Sequence, residues 1–127
     1  MNPYIYIGAA AVFLLVTMVV LSSRRNKPVG PARARELLRM GALVVDIRSS
    51  EDFAAGHARG SVNVPFDGLL ENIDTVAFDK YRPLLVHCHD GKQSEVAVRM
   101  LRKHGHMKVH NLGGYEGAWR IVGLADA

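Results

Sequence analysis

The chain has 127 residues, a formal charge of +4 and a single cysteine. That length holds one domain, and one cysteine closes no internal disulfide. The basic residues are scattered and no aromatic stripe interleaves with them, which argues against nucleic acid as a partner.

No charged side chain precedes Arg24, and Tyr4 to Leu21 is an almost unbroken apolar run. As a helix it spans about 27 Å, close to the hydrocarbon thickness of a bilayer. Tyr4 and Tyr6 suit the interface at one end, and Ser22-Ser23-Arg24-Arg25-Asn26-Lys27 lies at the other. A cleaved signal peptide has its basic cluster before the apolar core and a small-residue site after it; neither holds here, so an uncleaved anchor is expected. A helix without a polar face is a poor fit to the surface of a soluble domain. Positive flanks stay cytoplasmic, which predicts a single-pass protein of the inner membrane with its domain facing the cytoplasm. The same residues are placed to touch anionic lipid headgroups. The expected organisation is an anchor over 1–22, a basic and Pro/Gly-containing linker over 23–30, and a domain over 31–127.

Pro28-Val29-Gly30-Pro31 separates the anchor from the domain. Ala32 to Met40 reads as a helix with Leu37 and Leu38 facing inward and Gly41 as its stop. Leu43-Val44-Val45-Asp46 reads as a buried strand ending in a carboxylate. Ser49 is a candidate N-cap for a helix that opens with Glu51 and Asp52 and ends at Gly56. Ser61 to Pro65 reads as a second strand, Gly68 to Phe78 as partly helical, and Leu84 to Cys88 as a third strand. Ser94 to His104 reads as a helix presenting Val96, Ala97, Met100, Leu101 and His104 on one face, with Gly105 after it. Val109 to Leu112 is a fourth strand, and Gly113-Gly114 leads into a last helix carrying Trp119. Met100 and Trp119 are expected in the core.

Short apolar strands alternating with helices imply an α/β fold, a parallel sheet flanked by helices on both faces. Ligands of such sheets bind at the carboxyl ends of the strands. Asp46 and Cys88 both lie at strand ends, so they belong on the same edge. Cys88 also stands before a glycine-containing loop and a helix start. Backbone N–H groups and the helix N-terminus there favour a charged, nucleophilic sulfur. Free cysteines also serve as core filler, so the local pattern alone leaves both roles open. His87 and His89 flank the cysteine, but adjacent residues of an extended segment face opposite ways and do not converge on one metal ion. No metal site is expected.

Five blocks, in order, resemble the rhodanese domain of the sulfurtransferases. They are Val45-Asp46-Ile47-Arg48; Glu51 to His57, with one extra residue before the aromatic; Gly60 to Pro65; Val86 to Ser94; and Val109 to Gly114 with Trp119. The resemblance covers about Pro31 to Trp119. It implies a rhodanese-like fold and two-step sulfur transfer. Cys88 takes a sulfane sulfur from a small-molecule donor such as thiosulfate, and a thiol, a protein acceptor or cyanide removes it, without a cofactor. It implies that the N–H groups of His89, Asp90, Gly91, Lys92, Gln93 and Ser94 hold the persulfide, that Gly91 adopts a conformation closed to other residues, and that Asp46 and Arg48 brace the loop. Lys92 either attracts an anionic donor or is simply solvated. Gln93 stands where arginine or threonine is common, which removes a possible cationic contact and bears on thiosulfate preference; Arg59 stands where proline is common. His57 reads as a hydrogen-bonded structural residue, His89 as a group able to tune the sulfur, and Asp90 as an unexplained carboxylate beside it.

Two other functions compete. Cysteine phosphatases of related fold need a C-x5-R loop whose arginine grips phosphate, and here that position is Ser94. A membrane-tethered module that only binds a protein partner is the non-enzymatic alternative, against which Cys88 and Gly91 argue.

Overall fold

The computed structural model describes residues 2–123. Residues 124–127 of the expected domain, and the side chain of Arg25, lie outside the described residues. The first helix, α1 (Pro3–Arg25), is capped by the Asn2 side chain, which accepts the Tyr4 N–H. Its span Pro3–Arg24 has a mean hydropathy of 2.5, and none of it is buried against the rest of the chain.

The other nine elements are α2 (Pro31–Arg39), β1 (Leu43–Asp46), α3 (Ser50–Ala55), β2 (Val62–Asn63), α4 (Leu69–Val76), β3 (Leu84–His87), α5 (Lys92–Lys103), β4 (Val109–Gly113) and α6 (Tyr115–Val122). The four strands form one parallel sheet in the order β2-β1-β3-β4. Both faces of its inner strands are buried, because successive side chains point to opposite faces and each face is covered by helices. Val45 and Val86 pack with Leu69 and Ile73 of α4 and Ala97, Val98 and Leu101 of α5. Val44 and Leu85 pack on the other side with Ala34 and Leu37 of α2 and Ala118 of α6. The α/β architecture expected from the sequence is the one observed.

β2 spans only Val62–Asn63, shorter than the expected Ser61–Pro65. The chain nonetheless continues beside β1, with Val64 N–H bonded to Asp46 O and Phe66 N–H to Ile47 O. Helix α5 begins at Lys92, two residues before Ser94, because Gly91 turns the chain at φ +89°. Its buried face is Ser94, Ala97, Val98 and Leu101, an i, i+3, i+4, i+7 set. Val96 is exposed, and Met100 and Trp119 are only half-buried.

The segment between α1 and α2 is held against the domain. Val29 N–H donates to Asn111 O, and Asn111 Nδ2 donates to Asn26 O. Pro28 lies where a Cβ on Gly113 would meet it at 3.4 Å.

Candidate active site

The register of the sheet brings the site together. Asp46 of β1 pairs with His87 of β3, and a shift after Val86 sets His87 opposite Gly113 of β4. Cys88 leaves the end of β3, its N–H donating to Gly113 O at 3.1 Å. The loop then turns back and enters α5 through Gly91.

The first N–H groups of a helix have no partner within it. Here two N–H groups at the start of α5 find sulfur: Gly91 N–H donates to Cys88 Sγ at 3.0 Å and Ser94 N–H at 3.3 Å. Ser94 Oγ stands 3.5 Å from Sγ and Asp90 Oδ1 3.8 Å. Lys92 N–H points elsewhere, to Asp90 Oδ1 at 3.0 Å. That bond, with desolvation opposing it and the Lys92 charge adding to it, holds the Asp90 carboxyl below its usual range. Asp90 therefore serves the helix start, which accounts for a carboxylate beside the sulfur. Cys88 is 1 % exposed, a depth at which an anionic sulfur depends on these donors. Lys92, Gln93, His89 and Asp90 are exposed, whereas Gly91 and Ser94 are buried.

Two glycine contacts fix the loop. A Cβ on Gly91 would come within 3.3 Å of the Gly113 backbone, and one on Gly114 within 2.9 Å of His89 O. The close approach lets Tyr115 N–H donate to His89 O and forms the bridge between Asp90 and Gly114.

Asn111 holds the loop from β4. Its Oδ1 accepts from Ser94 Oγ at 2.7 Å and Gly113 N–H at 2.8 Å; its Nδ2 donates to Asn26 O at 2.9 Å and Gly91 O at 3.4 Å. Sequence reasoning did not single out Asn111, Gly114 or the buried role of His87. For the first two, their place in the last resembling block was the available signal.

Asp46 and Arg48 brace the strand edge and do not reach the sulfur in any described hydrogen bond. Arg48 Nε and Nη2 donate to the fully buried Asp46 carboxylate at 2.8–3.1 Å, and Nη2 also to Gly56 O at 2.7 Å. Its guanidinium lies 3.9 Å over the Tyr115 ring. Desolvation works against the Arg48 charge, but the Asp46 carboxylate outweighs it and raises the Arg48 pKa. His87 Nδ1 donates to Cys88 O at 3.2 Å, which leaves Nε2 buried, 3.6 Å from Asp46 Oδ2 and without a hydrogen bond. Burial pushes the His87 pKa down, against the pull of Asp46. His57 Nδ1 bonds Phe53 O at 2.9 Å and its ring stacks on Phe53, a structural arrangement.

Beside the loop lies an open depression of about 350 Å³, walled by Arg48, Phe66, His89 and Gln93 and by the acidic residues Glu51, Asp52 and Asp67. Among the described residues, no group of three histidine, cysteine or carboxylate side chains is arranged to hold a metal ion.

A buried thiol facing two helix-start N–H groups can act as a nucleophile whose charged form is stabilised in place. Comparison with known proteins identifies the family. The model of the rhodanese-like domain matches residues 30–120. Thiosulfate sulfurtransferase GlpE of Ectopseudomonas mendocina is 38% identical over 97 residues, 76% of this chain and 86% of the relative. The GlpE of Haemophilus influenzae is 30% identical over 92 residues, 72% of this chain and 86% of the relative. Among solved structures, an E. coli rhodanese with anions superposes with a TM-score of 0.57 at 32% identity, covering 60% of this chain and 89% of that one. The human single-domain sulfurtransferase TSTD1 gives a TM-score of 0.59 at 27% identity, covering 74% and 92%.

Proposed function

The chain belongs to the rhodanese-like family, and from that premise we propose that this sulfurtransferase carries sulfane sulfur as a persulfide on Cys88, in a domain tethered to the inner membrane by α1 and facing the cytoplasm. The curated relatives are thiosulfate sulfurtransferases, so thiosulfate is the first donor to consider. The Cys88 thiolate attacks the sulfane sulfur, a new S–S bond forms, and the donor's S–S bond breaks with its electron pair leaving on sulfite. An acceptor thiolate, or cyanide in an assay, then attacks the outer sulfur and the Cys88 thiolate leaves.

The observation that carries this reading is the pair of N–H groups on Sγ, from Gly91 and Ser94. They favour the Cys88 sulfur as an anion, as an anion nest does. Ser94 is itself held by Asn111. Asp46 and Arg48 fix the edge from which the loop departs. Lys92 is an exposed cation of the loop, placed to draw an anionic donor.

Support for the tether is the exposed apolar surface of α1, with Phe13 73% and Leu14 70% exposed and not covered by the described residues of the domain. The family match begins at residue 30, so α1 lies outside it.

The test uses the full-length chain in detergent, because Asn26 and Val29 bond to Asn111. It is incubated with thiosulfate and separately with 3-mercaptopyruvate, and intact mass is recorded. A gain of about one sulfur atom, reversed by cyanide and absent in Cys88→Ser, is expected. No gain from either donor while Cys88 remains alkylatable refutes loading by these donors.

A further inference from the structure

Where α1 ends, its last polar residues meet the end of α5. The cleft between them, about 260 Å³, is lined by Ser22, Asn26, Arg99, Arg102 and Lys103. We propose that this cleft binds the phosphate group of an anionic phospholipid headgroup. The inference rests on α1 being a membrane span, and adds to it a specific lipid site.

Three of the five lining residues are cations and none is a carboxylate. Arg99, Arg102 and Lys103 stand at i, i+3 and i+4, so they share one face of α5. Arg102 is fixed in place: Nη1 donates to Asn26 Oδ1 at 2.8 Å and Nη2 to Val109 O at 2.7 Å. That guanidinium ties α5 to the end of α1 and sets the shape of the cleft. Arg99 and Lys103 are exposed, and neither pairs with a carboxylate among the described residues. Arg33 pairs with Glu36, Lys80 with Asp74 and Arg120 with Glu116, whereas Arg35, Arg39 and Lys108 resemble Arg99 and Lys103 in pairing with no carboxylate among the described residues.

Arg102 and Lys103 in the last turn of α5 would complement its C-terminal partial charge. That accounts for neither Arg99, one turn earlier, nor the convergence of all three on Ser22 of another helix. The depth of the cleft also fits a lipid. Ser22 comes directly after Leu21, the last residue of the apolar run, so the cleft opens where that run gives way to headgroups. Arg24 and Lys27, both exposed, add positive potential at the same level.

The test is native mass spectrometry of the full-length chain released from micelles holding equimolar phosphatidylglycerol and phosphatidylcholine. Retention of phosphatidylglycerol over phosphatidylcholine by about tenfold is expected, from two or more cations at an anionic headgroup. Arg99→Gln with Lys103→Gln should abolish the preference. Arg39→Gln with Lys108→Gln removes the same charge elsewhere and should leave it intact, with thermal melting confirming that both variants fold. Equal retention of the two lipids, or a preference untouched in the cleft variant, overturns the proposal. Displacement of the lipid by millimolar inorganic phosphate assigns the site to free phosphate and overturns the lipid. Alkaline carbonate extraction separates the premises. A chain released from membranes refutes the tether and this site with it; a chain that stays embedded without lipid preference refutes the site alone.

Discussion

Replacing Asn111 with leucine keeps the branching of the side chain and deletes four hydrogen bonds at a fully buried position. Ser94 Oγ has a second acceptor, Gly91 O at 3.0 Å, and can turn to it. The Gly113 N–H and the Asn26 carbonyl lose the Asn111 side chain, in residues that are themselves buried. A buried polar group left unpaired costs about 1–3 kcal/mol, so the two together cost about 2–6 kcal/mol. That is a large part of the stability of a typical domain, about 5–15 kcal/mol. Urea unfolding of the full-length chain in detergent, followed by the fluorescence of the single tryptophan, Trp119, reads the loss directly. Because Ser94 also presents its N–H to Sγ, sulfur loading of Cys88 should slow in the same variant. A variant within about 0.5 kcal/mol of the parent, the range of ordinary surface changes, would refute the reasoning. So would full loading in a clearly destabilised variant, since it would separate Asn111 from the loop.

Arg48→Met strands the Asp46 carboxylate at zero exposure and should cost about 3–5 kcal/mol in the same urea assay. Arg48→Lys should recover only part, having one point charge in place of a fork; full recovery would mean that the bidentate geometry is irrelevant. Gly91→Ala forces an L-residue to φ +89°, worth about 1–2 kcal/mol, and pushes its Cβ to 3.3 Å from the Gly113 backbone. Rapid-quench mass spectrometry should show slower Cys88 loading, and an unchanged rate would contradict the role given to the Gly91 N–H. At the other end of the domain, the Lys80 hydrogen bond, with His104 adding to it, lowers the Asp74 carboxyl from 3.8 to about 2. A lowered carboxyl contributes its stability above the unfolded value and loses it as pH falls toward the folded one. Asp74→Asn should therefore be the less stable protein at pH 7, and the gap should close between pH 3.8 and about 2. A gap that does not change with pH would mean that the ion pair contributes nothing.

The strands and the turn that follows Cys88 were legible because their signals are local. Leu43–Asp46 and Leu84–His87 are short apolar runs, and a cysteine with a glycine three residues later marks the turn into α5. Ser49 was legible as a cap because a cap and the N–H it accepts are three residues apart. The inward face of α5 was misjudged because packing against the sheet, which no local pattern fixes, turns Val98 inward in place of Val96.

The remainder was decided by tertiary structure. Asn111 lies 17 residues from Ser94 and 85 from Asn26, and it joins them only because β4 packs beside β3 and the chain before α2 returns to that edge. Gly114 needs no side chain because the His89 carbonyl of another loop fills the space. Asp90 makes sense only once Lys92 N–H is seen to bind it. The sequence by itself determined the periodicity, the caps, the apolar helix and the order of the motifs, since each depends on residues within a few turns of one another. Which buried polar groups satisfy one another, and which cations face the end of α1, depends on the register of parallel strands. Packing of the whole domain sets that register, so no window of the sequence contains it.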